Sequence, residues 1–355
     1  MRERIRLPTG WLSRHYLHRR SIELGALVLL AAVLQISAAV GMAYVAGFSE
    51  VASALTRMSW PWLVVSAAAI GLSFVCYYFA YRGIYEVEGG PRLEKQQLRA
   101  VVAGGFGGFL AHGGSALDDY ALRAAGAEER DATVRVSALA GMEHGVLAIL
   151  GTAAGITVLA LGLSKPPLDF SISWSVLPIP GFAIAFWAAE RYRENLRDRD
   201  GWRGKMGVFL DAIHLNRLLF LRLRDHGAAV AGMTLFWLTD AFAMWAGLAA
   251  FGFHMNPAPM FIGYATGMVF TRRTGPLGGA GVLMVVLPVT LWVSGAPLAV
   301  AVVAVFAYRV LSLWLPMPFA FASLSTLRHM GEPGAAHAEQ EADAPGEPAL
   351  RRTPA

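Results

Sequence analysis

Pro259-Met-Phe-Ile-Gly-Tyr-Ala-Thr-Gly-Met-Val-Phe270 runs into Thr271-Arg-Arg-Thr-Gly-Pro-Leu-Gly-Gly-Ala-Gly281, and a second apolar run, 282–294, follows. The fold turns on this passage. Crossing about 30 Å of hydrocarbon takes about 20 helical residues, and neither apolar arm is that long. Proline and glycine interrupt the helix between them. A helix-break-helix pair that enters and leaves on one side, a re-entrant hairpin over about 259–295, fits both facts. An earlier passage has the same form. Val101-Val-Ala-Gly-Gly-Phe-Gly-Gly-Phe-Leu-Ala111 breaks at His112-Gly-Gly114 and resumes at 115–125, giving a hairpin over about 100–125.

The rest of the chain is what such hairpins need around them. Of 355 residues, 55% are hydrophobic and 15% charged, with a mean hydropathy of +0.47. Soluble domains carry about a quarter of their residues charged. Long apolar runs occur at 22–48, 62–81, 132–163, 173–189, 228–253 and 297–324. The expected fold is all-α: a polytopic integral membrane protein with six full spans and two oppositely oriented re-entrant hairpins. Residues 1–21 form a basic N-terminus, and the run that follows has spanning length and no clear small-residue cleavage site. The first membrane half is 22–189, and the basic segment 190–227 separates it from the second half, 228–327. The tail, 328–355, is rich in Ala, Glu and Pro and is expected to be disordered. Cys76, the only cysteine, reads as a packing residue.

The net charge of +5 would suggest nucleic acid in a soluble protein, but here the basic residues lie in bands between apolar runs. The N-terminus, the 82–99 loop and the 190–227 loop hold 6, 4 and 9 Lys/Arg, whereas 49–61, 164–173 and 253–258 hold one, one and none. With both hairpins re-entrant these bands alternate without conflict, and both termini are cytoplasmic. Counting either hairpin as a full span puts the next basic band on the wrong side. Within the largest band, 202–226 plots as an amphipathic interfacial helix. Arg203, His214, Arg217 and Arg224 oppose Phe209, Ile213, Leu219, Phe220 and Leu223, with Leu210, Leu218 and Leu221 on the polar side. Trp60, Trp62, Trp174 and Trp314 read as interfacial belt residues.

The two halves echo each other. Each has a short apolar run, a glycine break, a second short helix, a Gly-Ala step (Gly126-Ala127, Gly295-Ala296) and a long span. Broken helices at corresponding places in two inverted halves point to a transporter site near the midplane.

Several charges fall where hydrocarbon should be: Glu143 and His144, Asp240, Arg309, and Arg272 with Arg273 in the second break. Each ionised group at mid-bilayer costs about 2.5–3.5 kcal/mol on insertion scales. Arg309 could pair with Asp240 or Glu143 as structural glue, or these groups could line or gate a polar route. Two guanidiniums beside the backbone N–H groups of Gly278, Gly279 and Gly281, at a broken helix end, suit a lipid phosphate. The alternative is that both snorkel to the interface. His112, Asp118 and Asp119 are the first-hairpin counterparts, although the two aspartates could equally cap an exposed cytoplasmic helix.

No HExxH or carboxylate-histidine spacing suggests a metal, and the glycine pairs lack a Walker lysine. No serine sits in a nucleophile elbow. Neither a cofactor nor nucleic acid is expected; the expected partners are membrane lipids, anionic or phosphate-bearing.

Gly275-Pro-Leu-Gly-Gly-Ala-Gly281, then Gly295-Ala-Pro-Leu-Ala299, then Ala307-Tyr-Arg-Val-Leu-Ser-Leu-Trp-Leu-Pro316 resembles the lysylphosphatidylglycerol synthase transmembrane-domain family. Members typically carry a Pro-Gly-Gly-x-Gly break, a Gly-small-x-x-Ala step and a Tyr-Arg-Leu…Trp-Leu-Pro final span. The resemblance implies a lipid-handling, flippase-like module without the soluble domain that attaches an amino acid to the lipid. The chain departs from the pattern twice. Met284 stands where a Glu usually follows the break, and Ala140 stands where the first half usually has an Arg matching Arg309. The leading expectation is a flippase for a phosphate-bearing lipid, phospho- or polyprenyl-, in the bacterial inner membrane. The alternative is a non-transporting scaffold or regulatory subunit for an envelope lipid- or glycan-modifying enzyme, and a membrane-embedded transferase ranks below both.

Overall fold

The computed structural model describes residues 21–106, 114–163, 168–197, 199–269 and 279–330. The chain is all-α over these residues. Its helices in order are α1 (Ser21–Ala46), α2 (Phe48–Thr56), α3 (Trp60–Glu86), α4 (Lys95–Gly105), α5 (Ser115–Ala124), α6 (Glu129–Ala160) and α7 (Leu168–Val176). There follow α8 (Pro178–Arg197), α9 (Trp202–Leu221), α10 (Leu223–Ala250), α11 (Pro257–Val269), α12 (Ala280–Val293), α13 (Leu298–Arg309) and α14 (Met317–His329). A π-helical turn, Val310–Trp314, joins α13 to α14.

Among the described residues, six segments are long and apolar enough to cross a bilayer: Glu23–Ala46, Trp60–Gly89, Glu129–Ala160, Phe170–Arg197, Leu223–Ala250 and Leu298–His329. They overlap the six runs expected from hydropathy, and the architecture is that of a multi-pass membrane protein. At 11, 10, 13 and 14 residues, α4, α5, α11 and α12 fall short. Even the longest rises only about 21 Å.

Contacts follow one pattern twice. The centre is α3 against α10. There Gly232 lies so close to α3 that a Cβ would stand 2.8 Å from the Cys76 carbonyl oxygen and 2.9 Å from the Ala80 nitrogen. On one side, α4 packs against α14 and α5 against α6. On the other, α11 packs against α6 and α12 against α13. Each short pair therefore leans its first helix on the long helix of the opposite half and sets its second against its own, although α12 also packs, more extensively, against α1 of the first half. Glycine permits the close approach in both. A Cβ at Gly104 of α4 would meet Leu117 of α5 at 2.8 Å, and one at Gly267 of α11 would meet Leu287 of α12 at 2.7 Å.

The two Gly-Ala steps are the same structure. Gly126 has φ +93° and Gly295 has φ +115°, both left-handed. Ala127 N–H bonds Leu122 O at 3.0 Å, and Ala296 N–H bonds Leu291 O at 3.0 Å. Each is a helix stop of the Schellman type, with glycine where a side chain would be strained.

Two local expectations are corrected. The basic-segment helix ends at Leu221 rather than running on to 226. It buries Gly207, Leu210, Leu215 and Leu219 against α6 and α8, so Leu210 faces protein and Phe209 is exposed. Ion pairs from Arg130 to Asp211, 2.8 Å, and from Arg217 to Glu190, 3.3 Å, tie it down. Trp174 and Trp314 are not simple belt residues. Trp174 Nε1 donates to Thr266 of α11 at 2.9 Å, and Trp314 Nε1 donates to Gln35 of α1 at 3.2 Å.

Candidate functional site

Glu143 and Asp240 sit on α6 and α10 with 3% and 2% of their surface exposed. Buried carboxylate oxygens must find donors, and here tyrosine supplies them. Tyr77 of α3 donates its hydroxyl to Glu143. Tyr264 of α11 donates to Asp240, and Tyr308 of α13 donates to the same oxygen at 2.7 Å. The halves exchange roles: in the first, α3 brings the phenol and α6 the acid; in the second, α10 brings the acid and α13 the phenol.

The two acids are connected. Trp237 Nε1, one turn before Asp240, donates to the backbone carbonyl of Glu143 at 2.8 Å. Rings fill the interval: Tyr77 lies 4.5 Å from Phe236, Phe236 5.2 Å from Trp237, and Trp237 6.1 Å from Tyr264. A third acid joins through α3. Tyr81, packed 4.8 Å from Tyr77, donates to Asp118 at 3.0 Å. Asp119 lies 3.5 Å from the Thr133 hydroxyl and 3.8 Å from Arg123.

Of the residues singled out in the sequence, Glu143, Asp240 and Arg309 are all buried in the helix core, with Arg309 directly following Tyr308. His144 is not with them. It lies on the exposed face of α6, its Nδ1 2.8 Å from the Ala140 carbonyl oxygen, because adjacent helical residues point about 100° apart. Asp118 and Asp119 are buried rather than capping an exposed helix, since α5 packs on α6 and its first turn faces Tyr81. Gly279 takes the left-handed φ of +66° at the start of α12. At Gly281 a Cβ would touch Leu34 of α1 at 3.6 Å. His112, Arg272, Arg273 and Gly278 lie outside the described residues, as do the basic N-terminus up to residue 20 and the tail from 331.

The phenols went unread in the sequence, although Tyr77, Tyr81 and Tyr85 at i, i+4 and i+8 mark one helical face. So did Arg135. Its guanidinium is buried at the end of α3, donating to the carbonyls of Tyr85 at 2.9 Å and Val87 at 2.8 Å, while Nε pairs with Asp131 at 2.8 Å. It satisfies carbonyls that the helix end leaves open and complements the negative end of the dipole.

Chemically, the cluster is a set of buried acids bonded by tyrosine hydroxyls among packed rings, with Arg123 beside Asp119. It can hold or pass protons and position a polar group, and its described residues contain no nucleophile-base pair of a hydrolytic kind. Among the described residues no group of three or more His, Cys, Asp or Glu is arranged to hold a metal ion. No protein-family model matches the chain, and no curated protein matches it. The likeness to the lysylphosphatidylglycerol synthase transmembrane family therefore rests on the motif residues alone.

Proposed function

We propose that the protein carries a phosphate-bearing lipid across the bacterial cytoplasmic membrane, with both termini in the cytoplasm. One observation supports this reading above the others: two short-helix pairs with matching caps and exchanged packing partners. That is the pattern of an inverted repeat whose hairpins dip into the membrane from opposite faces, and such repeats place substrate sites at the midplane. Arg272 and Arg273, in the glycine-rich break that precedes α12 in the sequence, engage the phosphate. The Glu143 and Asp240 cluster is the polar element that the short helix pairs move against. Purified protein in vesicles of phosphatidylethanolamine and phosphatidylglycerol is expected to speed translocation of labelled phosphatidylglycerol. The R272A/R273A double variant is expected to lose most of that rate. A double variant as fast as wild type removes the phosphate site, and an inert wild type removes the transport reading.

A second reading, a scaffold for an envelope enzyme, draws on the phenol caps of Glu143 and Asp240, which also suit a static core. Under it, variants in the basic segment 190–227 impair function in cells, whereas changes at Glu143 and Asp240 alter only stability.

A further inference from the structure

Two apolar grooves open on the same seam of the molecule. The outer one, about 770 Å³, is lined by Trp60, Leu63 and Val64 of α3 and by Val302, Phe306 and Val310 of α13 and the turn after it. The inner one, about 400 Å³, is lined by Val75, Tyr78 and Phe79 of α3, Val102 of α4 and Phe106 just after it, and Phe319 of α14. Both volumes lie within the range of about 300–1,000 Å³ that holds small ligands. Along α3 the lining residues run from Trp60 to Phe79, about 28 Å of helix, close to the thickness of the hydrocarbon.

The grooves are stacked, not scattered. The α3 residues at 60, 64, 75 and 78 form one helical stripe, and Gly71 falls on it between the two grooves. A Cβ at Gly71 would meet nothing within 4 Å. Opposite, the π-helical turn Val310–Trp314 runs from the lining of the outer groove towards the inner one, touches α3 and is pinned to α1 through Trp314 and Gln35. Each end of the seam carries an arginine. Arg99 lines the inner groove. Arg57 lies between Leu55 and Met58, which line the outer groove, and its side chain lies over Gly252 beside the lining residue Phe251.

We propose that this seam is the track for the acyl chain of an anionic glycerophospholipid. The chain lies along the seam across Gly71, spanning both grooves, with its phosphate near Arg57 or Arg99, and the π-turn sets the constriction it crosses. An apolar slot the height of the hydrocarbon with one cation at each end complements a molecule with an apolar tail and an anionic head. This inference deepens the transport reading and rests on it for the cargo's movement, but not for its binding.

The test is to plug the seam. Gly71→Phe places a ring into open space and should leave the fold intact. Gly181→Phe, on α8 and equally open, is the control at a site away from the seam. Native mass spectrometry of protein purified from phosphatidylglycerol-containing membranes is expected to find phospholipid on wild type and on Gly181→Phe. Retention by Gly71→Phe should fall about tenfold, and translocation of labelled phosphatidylglycerol in vesicles should slow about as much. Equal retention and equal rates in all three proteins overturn the track. If wild type proves inert in translocation yet Gly71→Phe alone loses its lipid, the transport reading fails and the binding seam stands. If wild type translocates and Gly71→Phe matches it, the seam fails and the transport reading stands.

Discussion

Tyr77 and Tyr308 each give a hydroxyl hydrogen to a buried acid, and the worth of that bond can be measured. Removing a donor leaves a buried oxygen short of a partner, at a cost of about 1–3 kcal/mol. Tyr77→Phe is expected to lower the thermal midpoint in detergent, and Glu143→Gln combined with it to lower it by less than the two single effects summed. Additive losses would separate the pair. At this scale the sequence was legible where a charge falls near the middle of an apolar run, because ionised groups in hydrocarbon are too costly to be incidental, and not at Arg135, close to the start of one. That logic singled out Glu143, Asp240 and Arg309, all three of which are buried. It misplaced His144, since position along a span says nothing about which way a side chain points. It also passed over the tyrosines, which membrane helices carry without needing a reason.

The elements are set by glycine as much as by apolar length. Gly232 of α10 meets backbone atoms of α3, whereas a Cβ at Gly227 on the same helix would find nothing within 4 Å. Gly232→Ala should force α3 and α10 apart and cost about 1–3 kcal/mol. Gly227→Ala should be neutral or stabilising by up to about 1 kcal/mol, through helix propensity alone. Thermal denaturation of the two variants side by side decides it; equal midpoints would mean that the tight crossing carries no weight. The short helices were readable from length, and their stops from the two Gly-Ala steps. The buried face of α9 was not, because leucines lie around most of that helix and only its contacts with α6 and α8 select a face. Nor was the π-turn, which has no sequence signature comparable to a proline or a glycine break.

For the whole molecule, the six long helices follow from hydropathy and the exchanged packing of the short pairs does not, because no local pattern reports which distant helix a hairpin leans on. The inverted repeat proposed above requires each short pair to return to the side it came from. Arg92 and Glu128 flank the first pair, and Asn256 and Pro297 flank the second; all four are exposed. The single native thiol, Cys76, is buried. Single cysteines at those four positions, probed with a membrane-impermeant maleimide on intact cells and again after permeabilisation, test the arrangement directly. Asn256→Cys and Pro297→Cys should both react on intact cells, and Arg92→Cys and Glu128→Cys should both react only once the membrane is opened. Labelling of the two flanks of either hairpin from opposite sides would contradict the re-entrant topology.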